Sequence, residues 1–163
     1  MRKLFIGILL VLSCAISAQT VTTTVWYNTV SSVSLGPEMI SNGEFADGTD
    51  WEVTSGWTIT GGEAVYDGVA DFQSIYQADE NMVSSITTDT NYRLIFDAGE
   101  EGIRIRIYSS GKTVQYVDYA TYSSGENIVD FTTPSDIAEG GIAFMASQTY
   151  GAGTIDNVSL KLR

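Results

Sequence analysis

The stretch "IRIRIY", residues 103–108, constrains the fold more than any other part of the chain. Its apolar and polar residues alternate strictly, so an extended strand carries Ile103, Ile105 and Ile107 on one side and Arg104, Arg106 and Tyr108 on the other. A row of isoleucines needs an apolar layer to lie against, and the opposite row is left for water or a ligand. A helix does not satisfy the pattern, because its period of about 3.6 residues would scatter the isoleucines around the axis.

The same alternation recurs along the chain. "GWTIT", "AVYDG", "QSIYQ", "YRLIFDA", "TVQYVDYATY", "NIVDFTT", "GIAFMAS" and "TIDNVSLKL" read as short strands, separated by turn formers such as "TGG", "SSG", "SSGE" and "YGAG". No segment carries a convincing helical stripe; "SDIAEG" allows a single turn. Short strands at this spacing predict an all-β antiparallel sandwich of jelly-roll type. A length of 163 residues suits one such domain and is short for two. In "GWTIT", Trp57 shares a side with Ile59 and is expected in the core. Trp51, in the acid-rich loop before it, is expected to close one end of the sandwich.

Residues 1–18 differ from everything after them. Arg2 and Lys3 precede the apolar run "LFIGILLVLSCA", and small residues lead to a cut after Ala18, the pattern of a secretory signal peptide. The expected product is a secreted chain of residues 19–163, with no other segment able to span a membrane. A lipoprotein signal with an acylated Cys14 is the alternative, and leucine just before Ser13 fits that motif less well. Cys14 is the one cysteine, so the mature chain is expected to lack disulfides. Residues 19–36 contain no charge and are rich in Thr, Ser and Val, as a linker or an extra edge strand would be. A strand there could pair with a neighbour's sheet edge and make a homo-oligomer. Trp26 is then either buried with the strand or exposed in a linker. The folded domain is placed at residues 37–163.

Charge and composition exclude several functions. The net charge of −12 becomes −14 once Arg2 and Lys3 are removed, with 6 basic residues left against 20 acidic ones. Nucleic acid is not an expected partner, since phosphate binding rests on Lys and Arg. Histidine is absent. With no cysteine in the mature chain either, His-based acid–base work, Ser-His-Asp and Cys-His centres and the usual zinc sites are excluded. A glycosidase pair of carboxylates about 5 to 9.5 Å apart could draw on Asp97, Glu100 and Glu101. "DAGEEG" reads more simply as a solvated turn. The glycines sit between strands, not before helices, so no phosphate-cradling loop is present. These exclusions point to a binding protein that is not an enzyme.

"EMISNGEFADGTDWEVTSGWTITGGEAVYDG", "NYRLIFDA", "IRIRIY" and "GTIDNVSLKL" together resemble the carbohydrate-binding modules of the family 4, 9, 16 and 22 type, which are galactose-binding-like jelly rolls. The resemblance covers about residues 36–163. It implies a non-catalytic module recognising a glycan or polysaccharide on a concave sheet face, where rings pack on the sugar and polar groups hold its hydroxyls. On that face the expected sugar-binding residues are Arg104, Arg106, Tyr108 and Tyr116. The resemblance also implies a structural Ca2+ where the first strand, the turn after the tryptophan strand and the last strand meet, with Glu44, Glu63 and Asp156 as its acidic ligands. Ala46 stands where some relatives carry a further Glu. Gly141 and Met145 stand where cleft-type glucan binders of the group tend to place glutamines, and methionine is a poor hydrogen-bonding partner for sugar. Similar domains occur in phage particles, so a structural or attachment subunit that uses the sandwich for protein contacts is the rival expectation.

Overall fold

The isoleucine row points inward. The computed structural model describes residues 33–69, 72–99, 102–109, 114–137, 140–146 and 151–163; for 108, 109 and 114–121 it describes the backbone alone. Among these residues the strands are β1 (Glu52–Val53), β2 (Trp57–Thr60), β3 (Glu63–Tyr66), β4 (Ser74–Gln77), β5 (Asn91–Ala98), β6 (Ile103–Ser109), β7 (Val114–Tyr122), β8 (Gly125–Thr132), β9 (Gly140–Met145) and β10 (Gly153–Leu162). One short 3-10 turn, Asp79–Asn81, is the helical structure among them. No helix among the described residues is long and apolar enough to cross a membrane.

The strands form two five-stranded sheets. A front sheet has the order β1-β4-β9-β6-β7 and a back sheet the order β2-β3-β10-β5-β8, and neighbouring strands in each run antiparallel. Apolar residues of both inner faces fill the space between them: Ile105 and Ile107 from β6, Phe144 from β9, Leu94 and Phe96 from β5. Each large apolar side chain so buried contributes about 1.5–3 kcal/mol. Phe96 and Phe144 meet across the two sheets with ring centroids 5.1 Å apart.

β10 shows how the pattern survives an irregularity. Ile155, Val158 and Leu160 are all buried, although the step from 155 to 158 is one residue longer than alternation allows. A bulge between Asp156 and Ser159 absorbs the extra residue. Asn157 takes φ 52 there, a left-handed conformation that asparagine adopts more readily than most residues. Its amide Nδ2 donates to Asp97 Oδ2 at 2.8 Å.

The loop before β1 is held from both sides. Gln77 is fully buried; its Nε2 donates to the Ser41 carbonyl at 2.6 Å and its Oε1 accepts from the Ser41 N–H at 3.1 Å. Val158 N–H donates to the Gly43 carbonyl at 2.9 Å. A Cβ on residue 43 would lie 2.0 Å from the Val158 carbonyl oxygen, so only glycine permits this approach. Trp57 lies in the core as expected. Trp51 is deeper than a lid: it packs on Phe45 at 4.8 Å and faces Phe144 at 6.3 Å, with its Nε1 donating to the Asn42 carbonyl.

The start of the domain is zipped to its end. Gly36 N–H donates to the Leu162 carbonyl and Met39 N–H to the Leu160 carbonyl, both at 2.9 Å, with Glu38 bridged to Lys161 in antiparallel fashion. Residues 33–36 of the expected linker are thus part of the described chain. The signal peptide at 1–18, Cys14, Trp26 and the strand expected within 20–35 lie outside the described residues.

Candidate functional site

β9 sits in the middle of the front sheet and is buried on both of its sides. Ile142 and Phe144 belong to the core, so Gly141, Ala143 and Met145 face outward. Register fixes their neighbours. Tyr76 of β4 and Arg106 of β6 flank Ala143, Glu52 of β1 lies beyond Tyr76, and Val117 of β7 lies beyond Arg106. One position along, Ser74 and Arg104 flank Met145. Ala143 is 0% exposed and Met145 1%, while Glu52, Tyr76, Arg104 and Arg106 are half-buried. The outward front face is therefore a platform of one carboxylate, one ring and two guanidiniums over a small apolar floor.

The polar groups on it are unequally satisfied. Tyr76 donates its hydroxyl to Glu52 Oε2. Arg106 makes no hydrogen bond or ion pair among the described residues, and its Nε is buried without an acceptor. A buried donor left without a partner costs about 1–3 kcal/mol, so such groups ask for a reason. Chemically, the platform offers a ring for the C–H face of a sugar and charged groups for its hydroxyls or an acid substituent.

The structure brings Arg104 and Arg106 together on this face, as expected. Tyr108 lies across from Gly141 by register. Tyr116 lies across from Ile107, in register with the inward row; the residue across from Arg106 is Val117. Side chains of Tyr108 and Tyr116 lie outside what the structure describes. Gly141 has a structural cause: a Cβ there would lie 2.2 Å from the Gln77 carbonyl oxygen, which closes the position to any side chain. Tyr76 and Glu52 were missed from sequence. "QSIYQ" reads as a strand, and its alternation sets Tyr76 opposite the buried Ile75, but nothing local says that β4 lies beside β9.

The residues expected around calcium are spread over three elements. Glu44 is exposed in the loop before β1, at a cleft of about 430 Å³ also lined by Glu38, Asn42, Asn157 and Ser159. Glu63 is exposed at the start of β3 and Asp156 is half-buried in β10, beside Asp97. No group of three or more acidic side chains converges on one point among the described residues. The carboxylates alone thus do not make a calcium cage. The Glu44 carbonyl oxygen does lie 3.8 Å from the Cβ position of Gly62, next to Glu63. Of the acids weighed as a glycosidase pair, Asp97 is on the outward back face, where its Oδ2 accepts the Asn157 amide; Glu100 and Glu101 lie outside the described residues.

The outward back face is charge-paired. Arg93 makes a bidentate contact with Asp130, Nε to Oδ1 at 2.7 Å and Nη2 to Oδ2 at 2.8 Å, and Arg163 reaches the same carboxylate at 3.0 Å. The Arg93 hydrogen bond, with help from Arg163, holds the Asp130 carboxyl below its ordinary value. Lys161 lies 3.7 Å from Glu38.

No protein-family profile and no curated protein matches the sequence. Solved structures match the fold. A family 4 carbohydrate-binding module is 17% identical at a TM-score of 0.52, covering 76% of this chain and 99% of its own. The family 22 xylan-binding domain of Paenibacillus barcinonensis Xyn10C is 9% identical at a TM-score of 0.53, covering 79% of this chain and 97% of its own. The fold is the jelly roll of carbohydrate-binding modules. The enzymatically active domain of bacteriophage CBA120 tailspike protein 4 is 16% identical at a TM-score of 0.52 over 77% of this chain, which spans 21% of that tailspike chain. At these identities the jelly-roll likeness speaks for architecture, and the ligand has to be argued from the platform.

Proposed function

We propose that the chain is a secreted, non-catalytic carbohydrate-binding module that holds a glycan on the outward front face. The observation that carries this is the register row Glu52, Tyr76, Ala143, Arg106. Tyr76 and Arg106 stand two strand spacings apart, about 9.5 Å between backbones, with alanine between them. A pyranose packed on the Tyr76 ring would present its hydroxyls to Arg106 on one side and Glu52 on the other. Arg104 and Tyr108 keep their expected roles as further contacts, whereas Tyr116, in register with the inward Ile107, does not. Individual sugar contacts of this kind are weak, so avidity from a homo-oligomer formed through residues 20–35 belongs to the same reading. Nucleic acid is not part of it.

Affinity electrophoresis on a panel of polysaccharides tests the reading. Tyr76→Ala is expected to weaken retention about tenfold while leaving the circular dichroism spectrum unchanged, since an aromatic platform contributes on the order of 1 kcal/mol beyond its area. Unchanged retention in that variant would move the ligand to another surface. The second reading is an attachment subunit in an extracellular assembly or phage particle, favoured by the tailspike likeness. It predicts no retention on any glycan together with oligomers at micromolar concentration in sedimentation.

We also propose a structural calcium held by Glu44, Glu63 and Asp156 together with backbone carbonyls. What supports it is the approach of the Glu44 carbonyl to the β2–β3 turn. Calcium takes six to eight oxygens, so carbonyl and water ligands would have to complete the set. EDTA is then expected to lower Tm by several degrees, with calcium restoring it, because an ion bound only to the folded state stabilises by mass action. A melting temperature indifferent to both additions removes the metal.

A further inference from the structure

Resting on the glycan reading above, we propose that the outward front face selects an anionic sugar, specifically a uronate, and that Arg106 receives its carboxylate. Neutral sugars need donors and acceptors but no net charge. This face supplies a guanidinium that has no hydrogen bond and no ion pair among the described residues, with its Nε buried. The contrast within the molecule is direct, since Arg93, Arg163 and Lys161 on the back sheet each have a carboxylate within 3.7 Å. The described acid on the same face, Glu52, lies beyond Tyr76 and accepts that residue's hydroxyl.

The planar fork of arginine matches a carboxylate through two parallel N–H···O bonds, a fit that a sugar hydroxyl cannot reproduce. Arg104 lies two residues away on the same side of β6. Gly141 and Met145 offer no side-chain amide for a neutral hydroxyl. The net charge of −12 does not oppose this. Screening shortens charge interactions to about 8 Å at physiological salt, and the acids of the back sheet lie beyond the roughly 10 Å between packed sheets. The local face then decides.

The test is retention of the full chain at physiological salt on four probes: polygalacturonate, its fully methyl-esterified form, dextran sulfate and neutral xylan. The expected result is that polygalacturonate binds about tenfold more tightly than the ester, as removal of one charge-assisted pair implies. Arg106→Ala should bring polygalacturonate down to the level of the ester, and Arg106→Lys should recover part of the difference. Tyr76→Ala should weaken both forms alike and keep their ratio. Four results overturn the proposal while leaving glycan binding in place: equal retention of acid and ester, an acid preference that survives Arg106→Ala, retention only on xylan, or retention on dextran sulfate equal to that on polygalacturonate, which would mean generic polyanion attraction. Absence of retention on all four, and on a wider glycan panel, overturns the carbohydrate reading itself and this inference with it. Should Arg106→Ala fail to fold, Arg106→Lys and the acid–ester ratio of the wild type still decide.

Discussion

On the outward back face Arg93, Arg163 and Lys161 each stand beside a carboxylate, whereas on the outward front face Arg106 has neither hydrogen bond nor ion pair among the described residues. Both faces belong to one sandwich of alternating strands, so strand pattern does not explain the difference. Exposed pairs such as Arg93–Asp130 add little stability individually, and their arrangement is what a solvated surface comes to under attraction and entropy alone. A half-buried cation kept without a partner is not what stability favours. The back face reads as surface, and the front face as a place reserved for something else.

Three measurements break or sharpen this contrast. The largest effect belongs to the layer that both faces share: Phe144→Ala removes a ring that meets Phe96 and Trp51 and should cost about 3–5 kcal/mol in denaturant unfolding. A loss under about 1 kcal/mol would mean the sheets do not depend on a common core. Next comes a paired substitution. Arg106→Met should leave stability within about 1 kcal/mol of wild type, or raise it, because a buried donor without an acceptor is removed and the stem is kept. Arg93→Met should lower Tm, since it leaves Asp130 with Arg163 alone. If Arg106→Met proved the more damaging of the two, Arg106 would be a structural residue and the contrast would collapse.

The smallest effect is in the pH dependence. Asp130 is held below its ordinary carboxyl value by Arg93, so its contribution is present above the unfolded pKa of about 3.9 and is lost as pH falls through the lower folded value. Asp130→Asn should therefore sit slightly below wild type in Tm at pH 7, with the gap closing as pH falls below about 4. A gap of equal size at pH 7 and pH 3 would show that the ion pair is not its source.

Much of this architecture was legible in the residues. The alternation at 103–107 gave the inward isoleucines, and the strand-like segments from "GWTIT" to "TIDNVSLKL" fall on β2 through β10. Local pattern carried no further than that. β1 is two residues long, too short to show a period, and its Glu52 reaches the candidate site only because β4 lies between it and β9. Tyr76 and Ala143 are neighbours across a long stretch of chain, and strand order is not written in alternation. Irregular registers hid the rest. One shift between Ile107 and Tyr108 sets Tyr116 across from the inward row, and the Asn157 bulge breaks the phase of β10. Family resemblance gathered Glu44, Glu63 and Asp156 as ligands of one ion, whereas their side chains do not converge among the described residues.

The antiparallel seam between residues 36–39 and 160–162 has a mechanical consequence. Tension applied between Gly36 and Arg163 acts at one end of that seam, so its hydrogen bonds are loaded one after another, not all together. A domain pulled by its two ends should yield there first, at modest force, with the front platform still intact.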